Sequence, residues 1–490
     1  MKKIKNLIFK NFIINAFGIL FSRILGLVRD IILALFLGAG VFSDIFFVAI
    51  KMPAFFRRIF AEGAFNQAFL PHFASSRKKG AFTLAVLLQF GSIVFLFCLL
   101  VSFFASFFTK IFAFGFSDEL IMMAAPLVAI NFWYLFFIFL VTLLAALLNY
   151  EQKFFITSFS SSFFNLCIII AAFFIKDEST LEILYIFSYA VLLSGLAQLL
   201  WHIFALRKNA VIKAMFLSIK LKKTKISLKK FYSSFFHGVL GSSATQLSSL
   251  LDTTIASFLM AGSISYLYYA NRVFQLPLAL FAIALSQVAF PKILRHIKNN
   301  EEKMGLNFMK KAFNALLFLL LLAMIVGIVY ANEICTLLFE RGEFSAKDSK
   351  LTALVLIAYL IGLLPFGLQR LFSLWLYAKF KQKQAAMIAF KALLISAFFS
   401  VLCVLLISKA EYKVLGVALS ASMSAFYLLF ANVKEFGFKN FFALFSLKIF
   451  AFMLLFLSIF SFILIEFKAQ IIFAFEILGN FFKDLAFAVF

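Results

Sequence analysis

The sequence predicts an all-α polytopic membrane protein of about fourteen transmembrane helices, arranged as two parallel-repeat six-helix lobes around a central cavity plus two extra C-terminal helices. Three observations predict it. With 64% hydrophobic residues, 14% charged residues and a mean hydropathy of +1.05, the chain is far more apolar than a soluble domain. Apolar stretches near the ~20 residues needed to cross the hydrocarbon layer begin near residues 11, 42, 82, 120, 154, 181, 231, 265, 312, 351, 384, 412, 443 and 469. Finally, "DIILALFLGAGVFS" at 30–43 aligns without gaps on "DTTIASFLMAGSIS" at 252–265, with seven of fourteen positions identical at an offset of 222 residues. Shared Asp, Gly and Ser at one constant offset point to an internal repeat. Six spans separate the copies, so both run through the membrane in the same direction, as in transporters that alternate access by rocking one lobe against the other.

Taken in order, "MKKIKNLIFKNFIINAFGILFS" has a basic start and an apolar run but no small-x-small cleavage site before Arg23, so it reads as the first span. In the second span Pro53 is expected to interrupt the helix. From Glu62 and Gly63 to Pro71 a polar segment reads as a helix break at the cytoplasmic edge. Helices 1–6 form a first lobe over residues 1–206. The basic stretch 207–230 reads as an amphipathic linker on the cytoplasmic surface, and helices 7–12 form a second lobe over 231–435. Residues 440–490 add helices 13 and 14, the last the weakest because it contains Glu476, Lys483 and Asp484.

A net charge of +25 raises the question of nucleic acid, and the placement of the 46 Lys and Arg answers it. With the N-terminus inside, the cytoplasmic segments hold 30 of them, the opposite breaks 8, and the rest lie in or near spans. This is the positive-inside asymmetry of an inner-membrane protein, and no nucleic-acid partner is needed. The four cysteines, Cys98, Cys167, Cys335 and Cys403, are widely separated and form no CxxC pair, so no disulfide framework follows. The four histidines show no metal-ligand spacing, and no metal site is expected. The 76 phenylalanines are expected mostly to face lipid.

Charges inside spans are costly, about 2.5 to 3.5 kcal/mol for a central arginine, and normally face a partner or a cavity. Arg23 is roughly 16 residues past Leu7, where the apolar run of the first span begins, about 24 Å along a helix. Asp30, seven residues later, lies on nearly the same face, whereas Arg29 is rotated away unless Gly18 and Gly26 allow a bend. Arg29 with Asp30 reads either as an internal ion pair or as part of a site. Asp44, Lys51 and Arg58 recur every seven residues on one stripe of an uninterrupted second helix; past Pro53 either Arg57 or Arg58 could point inward, or both could anchor the cytoplasmic edge. Arg272 lies a few residues into the eighth span with Asp252 as its nearest candidate partner, and Arg370 and Lys391 read mainly as packing, headgroup or interhelical pairs. The cations Arg23, Arg29, Lys51, Arg57, Arg58 and Arg272 outnumber the anions Asp30, Asp44, Glu62 and Asp252. The surplus implies an anionic substrate, and guanidinium forks favour phosphate or pyrophosphate.

The stretches "SRILGLVRDIILALFLGAG", "SDIFFVAIKMPAFFRRIFAEGAFNQAFLP", "GSISYLYYANRVFQLPLALFAIALSQVAFP" and the "RGEF" of 341–344 resemble the MurJ/MviN family of lipid II flippases, over essentially the whole chain. The resemblance implies the multidrug/oligosaccharidyl-lipid/polysaccharide exporter fold and transfer of an undecaprenyl-pyrophosphate-linked disaccharide-pentapeptide from the inner to the outer leaflet for peptidoglycan synthesis. By motif position it places the family's substrate-binding arginines on Arg23, Arg29, Arg57 and Arg272, an important acid on Asp44, and Glu62 in the "AEGAF" stretch. Asp30, Lys51, Arg58 and Asp252 are then gating or charge-pairing residues, and helices 13–14 a groove for the polyprenyl tail. Partners so implied are lipid II and membrane lipids, with cell-wall synthesis proteins as candidates. Two departures stand out: Asn271 replaces a common Asp before Arg272, and "KFKQKQA" stands where a "TKTP"-like turn is common.

The expected mechanism is alternating access without enzymatic chemistry and without a cofactor: the arginines take the pyrophosphate in the inward-open state, and the Glu62 segment with small residues near Gly38, Gly40 and Gly262 closes the cytoplasmic side. The membrane potential or a counter-ion is expected to reset the empty carrier. Two rivals within transport are an O-antigen or polysaccharide-lipid flippase, which shares the pyrophosphate logic, and a drug exporter, which calls for an acidic rather than a basic cavity. A membrane glycosyltransferase or phosphatase would need catalytic side chains in large polar loops, and the longest extracytoplasmic break, 332–350, is too small for such a domain.

Overall fold

The computed structural model describes residues 2–58, 63–220, 226–470 and 472–473, and every regular element among them is helical. In chain order these are α1 (Lys2–Leu37), α2 (Val41–Arg57), α3 (Gly63–Ser75), α4 (Lys79–Phe103), α5 (Ala105–Phe112), α6 (Asp118–Tyr150), α7 (Phe154–Ser160), α8 (Ser162–Ala172), α9 (Thr180–Leu206), α10 (Ala210–Lys220) and α11 (Lys229–Ala256). There follow α12 (Ser263–Pro277), a π-helical turn (Leu278–Ile283), α13 (Ala284–Lys298), α14 (Glu302–Val329), α15 (Ala331–Phe339), α16 (Ala346–Ile361), α17 (Leu363–Ala378), α18 (Gln382–Leu406), α19 (Lys413–Phe436), α20 (Phe438–Leu444) and α21 (Leu447–Glu466). An all-helical answer is what hydrocarbon demands, because a helix satisfies its own backbone polar groups without water.

Among the described residues nine helical segments are long and apolar enough to cross a membrane, from Lys79–Phe103 to Ala410–Phe436. Four further expected spans are helical at the expected places, as α1, α2, α11 and α21. The fourteenth, from residue 469, lies almost entirely outside the described residues. Two expected breaks are corrected. Pro53 does not interrupt α2, which runs on to Arg57, and the segment from Gly63 to Pro71, expected as a helix break, is helical inside α3. In a membrane helix the lost donor can be compensated by neighbouring groups and local adjustment, so proline is weaker punctuation there than in water. Pro277 does mark a change of winding: α12 passes at that point into the π-helical turn. Several starts are set by local capping. Ser179 and Glu182 form a reciprocal capping box at α9, and Ser345 and Asp348 another at α16.

The chain divides into two compact units, Met1–Leu37 with Val41–Gln246, and Gly38–Gly40 with Leu247–Phe490. The first thus runs through the basic linker and most of α11, and the second carries the C-terminal helices. In the first unit α6 is the hub, packed by α2, α4, α5 and α9. Gly195 of α9 lets Tyr134 and Phe137 of α6 approach so closely that an added Cβ would meet them at 3.0 and 2.9 Å, and Asn131 of α6 donates to Ser188 of α9 at 3.0 Å. Phenylalanine serves both surfaces: among the described residues rings such as Phe103 and Phe107 are exposed, and others form the interior. Phe65, Phe69, Phe73, Phe139, Phe231 and Phe235 are among the largest fully buried side chains. Phe65 stacks on Phe69 at 5.5 Å and meets Phe139 edge-on at 5.5 Å, and Phe90 meets Phe235 at 4.9 Å. Helices that gain nothing from burying apolar surface out of lipid associate through such packing and small-residue contacts instead.

In the second unit the loop Gly38–Gly40 is packed by backbone. Gly38 has φ +59° and a Cβ there would lie 2.4 Å from the Glu343 carbonyl oxygen; Gly262 has φ +90° and its Cβ would lie 2.5 Å from the Ala39 oxygen. Tyr269 donates to the Gly38 carbonyl at 3.3 Å and its ring meets Phe339 and Phe344 at 4.9 and 5.3 Å. The register of the internal repeat reappears here, since α2 begins at Val41 and α12 at Ser263, 222 residues apart. Replacing Gly38 or Gly262 by Ala is expected to cost about 1 to 3 kcal/mol of stability, from left-handed backbone strain and the carbonyl clash. Gly40→Ala, with nothing within 4 Å of its added Cβ, is the neutral control in thermal unfolding of the detergent-solubilised protein.

Candidate functional site

The deep charges of the first unit fall into two kinds. Arg29 is buried, 6% exposed, beside Asp30 at 2%. Its Nε and Nη2 donate to Asp30 Oδ1 at 3.0 and 2.6 Å, and its Nη1 donates to Asn165 Oδ1 at 2.9 Å. Its guanidinium also lies 5.2 Å from the Phe164 ring centre. Asn165 of α8 in turn donates to the Ser22 carbonyl at 2.9 Å, and Ser161 to the Ser22 hydroxyl at 2.9 Å. The spacing that turns Arg29 away from Arg23 turns it onto α8, where Gly26 brings the helices close enough for Asn165 to lie within 3.6 Å of an added Cβ. This arrangement is a desolvated ion pair with its remaining donors satisfied, the condition under which such a pair survives burial.

Arg23 is different. It is exposed on α1 in a face with Leu20, Ile24 and Val28, and among the described residues its side chain makes no hydrogen bond or ion pair. It stands fourteen residues before the end of α1 at Leu37, about 21 Å along the axis, so it is far from either end of the span. Asp30, expected on nearly the same face as Arg23, is turned to Arg29 instead.

On α2, Asp44 is buried in the first turn, 4% exposed, while Lys51 and Arg57 are half-buried and Arg58 is exposed. Arg58 Nη1 donates to Gln246 Oε1 of α11 at 3.0 Å. Because α2 is continuous through Pro53, Asp44, Lys51 and the end of the helix share one uninterrupted register. Glu62 lies outside the described residues.

In the second unit Arg272 is half-buried on α12, following a run from Ser263 to Ala270 that is wholly buried. Its Nη2 donates to the Tyr268 hydroxyl at 2.8 Å, and its guanidinium sits 4.8 Å from the Tyr268 ring centre. Asn271, at the position where an acid is common, accepts from Gln275 one turn on. Asp252 is half-buried near the end of α11. Arg370 lies 6.0 Å from the Phe366 ring centre with its buried Nε unsatisfied among the described residues, and Lys391 is exposed. The "RGEF" loop is structural in its contacts: Arg341 donates to the Leu338 carbonyl at 3.0 Å and to that of Leu337, closing the C-terminal end of α15, and burial lowers its pKa from the ordinary arginine value. Among the described residues no group of three or more His, Cys, Asp or Glu side chains could hold a metal ion.

Sequence reasoning missed three partners. Asn165, Gln246 and Tyr268 are neutral, and two of them are remote in sequence from the arginine they serve. Only Tyr268, one helical turn before Arg272, carried a spacing signal.

A family model described as lipid II flippase MurJ matches residues 33–482. A probable lipid II flippase MurJ of Helicobacter pylori is 49% identical over 418 residues, covering 83% of this chain and 90% of that protein. Another, of Haemophilus influenzae, is 33% identical over 460 residues, 88% of each. Among solved structures, a lipid II flippase MurJ in an inward closed conformation matches with a TM-score of 0.76 at 27% identity, over 97% of this chain and 100% of that one. An inward-facing MATE-family multidrug resistance transporter of the MOP superfamily matches at 0.67 and 14% identity over 86% and 95%, a likeness of fold alone. With that family match over most of its length and its long apolar helices, this chain is a multi-pass bacterial membrane protein and belongs to the lipid II flippase MurJ family.

Proposed function

We propose that this protein flips lipid II, carrying the undecaprenyl-pyrophosphate-linked peptidoglycan precursor from the inner to the outer leaflet of the cytoplasmic membrane by alternating access, with no covalent step. The observation that carries the reading is Arg23: a guanidinium deep in an apolar helix, exposed, with no carboxylate or hydrogen-bond partner among the described residues. Such a charge is costly in hydrocarbon unless a ligand or water meets it. A pyrophosphate supplies paired oxygens that match the guanidinium fork, and exclusion of water strengthens the contact.

Arg57, in the same unit, joins Arg23 at the pyrophosphate in this reading, and Arg272 is a substrate-binding residue of the second unit, each on the strength of its motif position. Arg272 comes to that task pre-oriented by Tyr268. Arg29 acts as a positioning residue: its charge is balanced by Asp30, and its bond to Asn165 fixes α1 against α8 and with it the orientation in which Arg23 is exposed. Asp44, Lys51, Arg58, Glu62 and Asp252 set the charge balance as the carrier changes state, with the two repeat lobes rocking. The polyprenyl tail stays in lipid or along the C-terminal helices. Release must overcome the attraction that made binding favourable, and the membrane potential, about 2.3 kcal/mol per charge per 100 mV, or a counter-ion resets the carrier. The N-terminus is cytoplasmic in this reading, supported by the 30 to 8 distribution of Lys and Arg across the two sides.

The test is transfer of labelled lipid II between leaflets of proteoliposomes at verified equal insertion. Arg23→Ala is expected to slow transfer by about tenfold or more, the loss of one charge-assisted contact, whereas Lys391→Ala transfers at the wild-type rate; wild-type transfer by Arg23→Ala overturns the reading. Asp30→Ala, by taking the carboxylate from a buried guanidinium, is expected to lower stability by about 3 to 5 kcal/mol, and a paired Arg29→Leu, Asp30→Leu replacement to restore much of it in thermal unfolding. Single cysteines placed in a cysteine-free background at Lys347 and Lys298 check the topology. An impermeant maleimide added outside intact cells should label the first and spare the second.

A further inference from the structure

A cleft of about 270 Å³ lies within the second unit, between the first turns of α14 and the short helix α20, and it has no part in the site above. Its polar lining is Lys303, Asn307 and Lys310 of α14 and Asn440 of α20; its other walls include Leu306 and Leu444. The α14 residues recur at intervals of four and three, which puts them on one stripe of the helix. Among the described residues no carboxylate lines the cleft. The acids nearby in sequence have other partners: Glu302 pairs with Lys379 at 2.6 Å, Glu435 with Lys381 at 3.3 Å, and Glu301 is hydrogen-bonded to His296 at 2.8 Å. Among the described residues the ammonium groups of Lys303 and Lys310 make no hydrogen bond or ion pair. Asn440 spends one amide proton on the Phe436 carbonyl at 3.2 Å, leaving its other proton and its oxygen available.

The depth of the cleft argues for the kind of anion. Lys303, Lys310 and Lys311 occupy the opening turns of α14, after which residues 315–329 are uninterruptedly apolar, so the lysines sit where headgroups give way to hydrocarbon. The other walls of the cleft, Leu306, Ala443 and Leu444, are apolar. We propose that this cleft binds the headgroup of an anionic phospholipid, with Lys303 and Lys310 on the phosphate, the Asn307 and Asn440 amides beside it, and an acyl chain along Leu306 and Leu444. Basic pockets between helices at the cytoplasmic face are a recurrent way of holding acidic headgroups, and a free phosphate would leave the apolar wall unused. A bound lipid here would tie α20, and through it the start of α21, to α14.

The test is native mass spectrometry of the full-length protein released from detergent after equilibration with phosphatidylglycerol or phosphatidylcholine. Wild type is expected to retain one phosphatidylglycerol in preference to phosphatidylcholine. A Lys303→Gln, Lys310→Gln variant should lose that retention by about tenfold or more, as expected for two basic contacts to an acidic headgroup, and Lys303→Arg, Lys310→Arg should keep it. Equal retention of the two lipids by wild type, or undiminished phosphatidylglycerol on the glutamine variant, overturns the proposal. So does displacement of the lipid by millimolar inorganic phosphate, which would mark a site for the free anion. None of these readouts depends on flipping, so the outcome is separate from that of the transport assay.

Discussion

Charge has to be settled locally in a medium that cannot solvate it, and the arrangement of this protein follows from that constraint. Arg29 and Asp30 show the internal solution: adjacent on one helix, both buried, with the donor left over taken by an asparagine from a neighbouring helix. The clasp does two things at once. It makes a buried arginine tolerable, and it fixes the rotation of α1, which determines the side on which Arg23 emerges. Among the described residues Arg23 has no such internal answer. A chain that compensates one deep arginine fully and leaves another six residues earlier open is not simply short of carboxylates; it has assigned them.

The packing beneath these charges relies on close approach rather than on expulsion of apolar surface from water. Glycines at the α6–α9 contact and in the Gly38–Gly40 loop admit side chains or backbone where a methyl group would not fit. Phenylalanine rings fill the remaining volume of the first unit with edge-on and offset contacts, each a modest gain beyond burial. The same residue type thus supplies many of the most deeply buried side chains as well as exposed ones such as Phe103 and Phe107.

Much of the helical plan was legible in the sequence because a span is a composition over some 20 residues, a signal that survives the loss of all detail. The start of the second helix in each repeat, at Val41 and Ser263, was legible too, because it follows glycine at a constant offset. Proline misled at Pro53, and so did the polar residues leading to Pro71: helices continue through both places, where a soluble chain would be punctuated. For the candidate site, the identities of the deep charges could be read but not their partners. That Arg29 would find Asn165, 136 positions away, has no local signature, since an asparagine in an apolar run looks the same whether it serves an arginine or a backbone carbonyl. The distinction between a compensated and an open arginine is therefore a tertiary fact.

The central claim is that Arg23 recognises the phosphates of the carried lipid. The most direct measurement compares binding of undecaprenyl pyrophosphate with undecaprenol, which shares the tail and lacks the phosphates, to wild type and to Arg23→Ala in the same detergent. If the claim holds, wild type prefers the pyrophosphate lipid and Arg23→Ala loses most of that preference while its affinity for undecaprenol is unchanged. An equal preference in both proteins would contradict it and move phosphate recognition away from α1.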